Sequence, residues 1–224
     1  MSFSTFEIIG PPMIGPSSSH TAGACRIGWI CRELLGELPE EVEIGLHGSF
    51  FSTGQGHATD QALIAGILGF PPDDVRLKDS FEHAEKAGLK FSFHQIDLGP
   101  QAHPNSAQLK IRKGKNEIVV TAESVGGGSI LLRQIGPFSV EIRGALETLV
   151  IWHLDTPGFL SRITAVLACA ELNVASIRTS RFERGEQTLT TIEIDGTFPS
   201  DVLAVIQRSR TIQRLVRLPI LPGF

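Results

Sequence analysis

Cysteine is scarce in this chain: three among 224 residues, with no CxxC pair. So few thiols exclude a disulfide framework. Cys25 and Cys31 are six positions apart, so on one helix they would point about 120° from each other. Cys169 is remote in sequence. Zinc or an iron–sulfur cluster held by this chain alone is therefore not expected, and the three read as buried thiols. Excess positive charge is also missing. A net charge of −4 excludes a general nucleic-acid binder. No apolar run approaches the ~20 residues of a membrane-spanning helix, so no membrane association is expected. Met1–Ile9 lacks the basic start and long apolar core of a signal peptide, so the cytoplasm is the expected compartment. No Gly-Lys-Ser/Thr follows any glycine-rich loop, which excludes a P-loop.

What is present fits a globular chain. Hydrophobic residues make up 42% and charged residues 20%. The length suits one large domain or two small ones. Glycine-rich turns dominate the first part, a compact alternation of strands and helices fills the second, and every basic residue after Leu146 is arginine. These shifts place a boundary near Gly144–Thr148 and predict domains 1–146 and 147–224.

The stretch Ile14-Gly-Pro-Ser-Ser-Ser-His-Thr-Ala-Gly23 reads as a turn opening a helix from about Ser19 to Gly36. Phe6–Gly15 is its lead-in, broken by Pro11 and Pro12. Ser17, Ser18 and Ser19 are each good N-cap residues, and Ala22, Cys25 and Trp29 share one face. One cap cannot use three hydroxyls and a histidine. The surplus at a helix N-terminus, where the first N–H groups lack intrahelical partners, predicts a site for a carboxylate or phosphate. The same logic recurs. Val42–Leu46 reads as a strand, His47–Asp60 as a glycine-rich loop, and Thr59 and Asp60 as caps of a second helix ending at Gly69. That arrangement sets His57 beside another helix start. A third loop holds His103, Pro104 and Asn105. Ser124–Ser129 reads as a flexible or anion-nesting loop. His20, His57 and His103 sit among turn formers, where functional residues concentrate. Nothing in their spacing forces them onto one metal, so substrate binding is the expected role. The other four histidines lie in or beside regular elements.

The first part is thus predicted as α+β. In the second, Thr148–Leu154, Val174–Arg181, Thr188–Asp195 and Ile212–Leu218 read as strands. Helices follow Asp155-Thr-Pro-Gly158 and Pro199. The order βαββαβ is ferredoxin-like. With its Asp-x-Pro-Gly turn this part resembles an ACT domain, a family of regulatory modules that bind amino acids at a dimer interface. The resemblance implies homo-association through residues 147–224 and effector contacts at Asp155, Pro157 and Gly158.

Ile14–Gly23, Thr53-Gly-Gln-Gly-His-Ala-Thr-Asp60, His103–Asn105, Ser124-Val-Gly-Gly-Gly128 and the terminal ACT-like part together resemble the beta chain of iron–sulfur-dependent L-serine dehydratases. That family converts L-serine to pyruvate and ammonia without pyridoxal phosphate. The resemblance implies a 4Fe-4S cluster whose cysteines belong to an alpha chain, with an open iron acting on the serine hydroxyl while a base removes the Cα proton. This chain would be the partner half, active only with that alpha chain. His20 and His57 then become catalytic candidates. Ser17, Ser18, Ser19, Thr21, Thr53, Gly54, Thr59, Asp60, His103 and Asn105 become candidate substrate contacts. Ala58 departs from the family where glycine is common, and Ser129 where an aromatic often stands. The alternative is a non-catalytic amino-acid-sensing regulatory subunit, or a regulatory tail like that of ACT-bearing phosphoglycerate dehydrogenases.

Overall fold

The structure, a computed structural model, describes residues 12–222, so the lead-in before Pro12 lies outside the described residues. These residues form two compact units. One comprises residues 12–136, 141–143 and 221–222, and the other residues 137–140 and 144–220.

The first unit opens with a π-helical turn, Ser18–Gly23, running into helix α1 (Ala24–Leu35). The sequence predicts an ordinary α-helix here, and the first turn is instead wider. Helix α1 stops at Gly36, whose φ of 91° supplies the left-handed cap. Strand β1 (Glu41–Gly48) buries Val42, Ile44 and Leu46 and exposes Glu41 and Glu43, the alternation of a half-covered strand. It leads into the short α2 (Ser49–Ser52), a 3₁₀ turn (Gln55–His57) and helix α3 (Thr59–Leu68). Helix α4 (Ser80–Lys86) follows, then β2 (Lys90–Gln95), β3 (Asn105–Lys113), β4 (Asn116–Gly126), β5 (Ser129–Ile135) and β6 (Phe138–Ile142), whose residues 141–142 count with this unit and 138–140 with the other. The sheet order is β2-β1-β3-β4-β5-β6, with β1 parallel to β2 and antiparallel to β3.

Two local expectations are corrected. Ser124–Ser129 is not a loose loop. Strand β4 runs through it to Gly126, which pairs with Ser129, leaving Gly127 and Gly128 as a tight hairpin turn at φ 60° and 80°. Those glycines serve a two-residue turn that needs positive φ, not an anion nest. Thr59 and Asp60 do not cap α3 either. The cap position is Ala58, at φ 56°, with no side-chain cap bond. A β-carbon there costs roughly 1–2 kcal/mol.

Helices α1 and α3 pack almost backbone to backbone. A β-carbon on Gly28 would lie 2.1 Å from the Leu63 carbonyl oxygen, and one on Gly66 would lie 1.9 Å from that of Cys25. Ala62 and Ala65 on α3 are fully buried. Small residues therefore set the helix separation. Below this contact Arg32 donates to the Leu68 carbonyl at the end of α3, satisfying one of its orphan acceptors. Arg26, 2% exposed, donates Nη1 to the Gly128 carbonyl at 2.6 Å and Nε and Nη2 to that of Pro222 at 3.1 and 2.9 Å. A buried cation so engaged fixes the β4–β5 turn beside α1.

The second unit is βαββαβ: β7 (Glu147–Leu154), α5 (Phe159–Cys169), β8 (Val174–Arg181), β9 (Gln187–Ile194), α6 (Ser200–Gln207) and β10 (Ile212–Leu218). Its sheet is antiparallel in the order β10-β7-β9-β8, the ferredoxin-like arrangement expected. Leu149, Ile151, Ile192 and Ile194 from the sheet meet Phe159, Ile163, Leu167 and Ile206 from the helices. His153 lies in β7, 2% exposed, stacked on Phe159 with ring centroids 3.5 Å apart. Its Nδ1 donates to the Leu154 carbonyl at 2.9 Å and its Nε2 lies 2.9 Å from the Thr190 hydroxyl. Burial holds its pKa below the ordinary histidine value.

Two outcomes follow from this packing. Gly66→Ala gains about 1 kcal/mol of helix propensity but forces the helices apart at a cost of about 1–3 kcal/mol. The variant should unfold at lower urea concentration than the parent chain, and a raised midpoint would contradict the close-packing account. His153 is neutral when folded and titrates near pH 6.5 when unfolded. Its contribution is therefore present above about pH 6.5 and lost as pH falls through that value toward the lower folded pKa. Between about pH 8 and about pH 5, His153→Gln should lose less stability than the parent in urea titrations. Equal losses would show that His153 is not the group responsible.

Candidate active site

Two helix starts meet in the first unit. Ser17 caps the π-turn, its hydroxyl accepting from the His20 N–H at 3.1 Å. Wide turns of this kind are rare and tend to occur at functional sites. Its floor is tight: a β-carbon on Gly23 would lie 2.0 Å from the Ser124 hydroxyl, whose oxygen is buried with no hydrogen-bond partner among the described residues. The fully buried Thr21 donates its hydroxyl to the His57 carbonyl at 3.1 Å, tying the first loop to the second. The Gly54 carbonyl accepts from the N–H groups of both His57 and Thr59, folding the glycine-rich loop onto the start of α3.

Between these helix starts lies a network centred on His20. Its Nε2 is 3.2 Å from the Ser49 hydroxyl and 3.2 Å from the Thr53 hydroxyl. Ser49 donates to Asn105 Oδ1 at 2.5 Å, and Thr53 donates to the Ser49 carbonyl at 2.8 Å. On the other edge, His20 Nδ1 is 3.3 Å from the Ser19 hydroxyl, itself 3.4 Å from that of Ser17. The His57 ring lies 5.0 Å from that of His20, and its Nδ1 donates to the Thr53 carbonyl at 3.0 Å. Phe50 meets His20 edge-on at 5.3 Å. Asn105 arrives through strand register, since it pairs with Gly48 immediately before Ser49. Burial, then the neighbouring His57, lowers the His20 pKa, and a hydrogen bond from the ring to the Ser49 backbone carbonyl opposes them. The imidazole is accordingly neutral at pH 7 and can accept a proton.

The remaining candidates divide. Ser18 is half-buried on the first turn. Thr53, Gly54 and Asp60 line a cavity of about 380 Å³ with Leu46, Phe50 and Phe93. Burial raises the Asp60 carboxyl, which accepts from the Gln61 N–H at 2.9 Å. Thr59 is fully buried and its hydroxyl has no partner among the described residues. His103 is not brought to the network. Its Nδ1 accepts from the Asn105 N–H at 3.1 Å and its carbonyl accepts from the Ser106 hydroxyl at 2.6 Å, so it shapes the loop that delivers Asn105. Ser49 is the member that sequence reading passes over. It belongs to the loaded stretch after β1, but only the β1–β3 register reveals it beside Asn105.

The cysteines do not fit an iron–sulfur cluster. Cys25 and Cys31 are fully buried on α1, where burial pushes the Cys25 thiol up to about 12 and that of Cys31 higher still. Such groups resist becoming thiolate ligands. Cys169 is exposed in the other unit. Among the described residues no three metal-binding side chains converge.

In the second unit, the Asp155 carboxylate accepts from Arg181 Nη1 at 2.8 Å and from the Gly185 N–H at 3.2 Å. Those bonds hold it below the usual carboxylate range. Pro157 and Gly158 are exposed, and Gly158 sits at φ 78°. That left-handed conformation favours glycine here whether or not a ligand binds.

Residues 3–134 match the family described as serine dehydratase beta chain. The chain is 40% identical over 195 residues to the L-serine dehydratase beta chain of Peptoniphilus asaccharolyticus, covering 86% of this chain and 87% of that one. It is 37% identical over 215 residues to the probable L-serine dehydratase beta chain of Bacillus subtilis, covering 96% and 97%. The solved ACT domain of a GTP pyrophosphokinase from Chlorobium tepidum is 18% identical, covering 33% of this chain and 96% of that domain, with a TM-score of 0.27. That superposition is too loose to carry weight, and the fold of the second unit rests on its own strand order. The match across the first unit and the end-to-end similarity to two beta chains make this chain a member of the serine dehydratase beta chain family.

Proposed function

We propose that the chain is the substrate-handling half of an L-serine dehydratase, deaminating L-serine to pyruvate and ammonia when paired with an alpha chain. The observation that carries this reading is the meeting of a neutral His20 with His57, Ser49, Thr53 and Asn105 at the start of α1. The Ser17–Ser19 hydroxyls and the first amides of the π-turn bind the serine carboxylate, since a helix start offers unpaired donors and a favourable dipole. His20 and His57 handle the proton, as the two imidazoles that this network sets side by side. A sensor would need polar contacts for its ligand, but not a desolvated imidazole held against a second one. The 4Fe-4S cluster implied by the sequence belongs on the alpha chain, because two of this chain's thiols are buried on one helix and the third, Cys169, belongs to the other unit. The second unit joins two copies of the chain and binds L-serine or a related amino acid weakly at its Pro157–Gly158 turn.

The test is anaerobic reconstitution with the alpha chain and a pyruvate assay on L-serine. The chain alone should be colourless and inactive. In the complex, His20→Ala and His57→Ala should each reduce turnover by about 100-fold or more. The capping variant Ser17→Ala should cost about 1 kcal/mol of stability. Turnover near that of the parent in both histidine variants would remove the catalytic reading of this site.

A further inference from the structure

The direction of each hydrogen bond around His20 can be worked out from proton counting. A hydroxyl has one proton to give. Thr53 gives its proton to the Ser49 carbonyl, which can only accept. Ser49 gives its own to Asn105 Oδ1. Both hydroxyls within 3.2 Å of His20 Nε2 therefore present lone pairs to it. Two acceptors converge on one ring nitrogen, and the arrangement is satisfied only if that nitrogen carries the hydrogen. At the other edge, Nδ1 faces the Ser19 hydroxyl, which has a proton to offer. His57 shows the opposite polarity: its Nδ1 lies 3.0 Å from the Thr53 carbonyl and must carry the hydrogen, leaving Nε2 as its basic nitrogen.

We propose that Ser49 and Asn105 are positioning residues that fix His20 as the Nε2–H tautomer, so that its proton-accepting atom is Nδ1, turned toward the Ser17–Ser19 hydroxyls. This deepens the functional reading above and rests on it for its catalytic meaning, although the tautomer can be measured without turnover. The logic is that of a base oriented by a third group. Asn105 orients Ser49, Ser49 orients the ring, and a proton taken up at Nδ1 leaves an imidazolium whose Nε2–H already has two acceptors. Ser19 lies on the accepting edge, so the proton enters from the side where the helix start would hold a carboxylate.

Asn105 is the pivot, because an amide presents either an acceptor or a donor. Its oxygen faces Ser49, and the adjacent His103 and Ser106 contacts hold the loop that carries it. Were the acceptor lost, Ser49 would be free to turn its proton onto Nε2 and drive the ring toward Nδ1–H.

The experiment is a long-range proton–nitrogen correlation spectrum of the full chain labelled with ¹⁵N-histidine, recorded above the His20 transition, with His20→Gln assigning the signal. The protonated and lone-pair nitrogens of a neutral imidazole are well separated in such spectra. The parent chain should show His20 with hydrogen on Nε2. Asn105→Leu should introduce a substantial Nδ1–H population, and Asn105→Leu combined with Ser49→Ala should restore Nε2–H, because the competing donor is gone. Hydrogen on Nδ1 in the parent chain would overturn the proposal, and so would an Asn105→Leu variant that stays wholly Nε2–H. Should the Asn105 variants fail to fold, the parent spectrum decides it, hydrogen on Nε2 supporting the proposal and hydrogen on Nδ1 overturning it. An Nε2–H His20 in a reconstituted complex without serine turnover would leave the tautomer assignment standing and remove the functional reading. Full turnover with hydrogen on Nδ1 would do the reverse.

Discussion

The close contact of α1 and α3 is the constraint on which the site depends. The Cys25 carbonyl occupies the space where a Gly66 side chain would begin, and the Leu63 carbonyl does the same at Gly28. Helices usually pack with axes 8–10 Å apart, the distance set by side chains at the contact. Removing those side chains lets the backbones approach, and both helices start on the same side of the crossing. Their opening loops therefore meet. The Thr21 hydroxyl reaches the His57 carbonyl, and the two imidazoles come within 5.0 Å. A pair of glycines deep in two helices thereby determines a distance between the histidines of the two loops that open those helices.

The sheet supplies the rest. Antiparallel pairing of β1 with β3 sets Gly48 against Asn105, and α2 turns out of β1 at that point with Ser49 as its first residue. A one-residue slip would move Asn105 to the other face. His20 is thus approached from three directions: by its own turn, by the end of β1 and by the start of β3. Each approach rests on a regular element rather than on a loose loop, which is what holds polar groups at fixed distances. Desolvation and a second imidazole then keep His20 neutral, the protonation state that a base requires.

Much of this was legible in the sequence. Alternating apolar residues give β1, and turn chemistry gives the βαββαβ order of the second unit. The crowd of Ser17, Ser18, Ser19 and His20 marks a helix start with more polar groups than a cap can use. What sequence could not supply was long-range pairing. Ser49 looks like any hydroxyl after a strand until register sets it beside Asn105. His103 looks like a third site histidine until its ring is seen bonding its own loop. The glycines of Ser124–Ser129 look like an anion nest because a hairpin turn and a nest draw on the same residues. Gly158 and Ala58 carry conformational demands that only φ reveals.

The central claim is that helix packing brings His20 and His57 into one electrostatic unit. The most direct measurement is the pKa of His20 by NMR titration, in the parent chain and in His57→Gln. Burial remains in both, but the variant removes the Coulombic influence of His57 that disfavours protonation of His20. The account predicts a His20 pKa below the ordinary histidine value in the parent and a rise toward that value in the variant. An unchanged His20 pKa, with the variant folded, would contradict it.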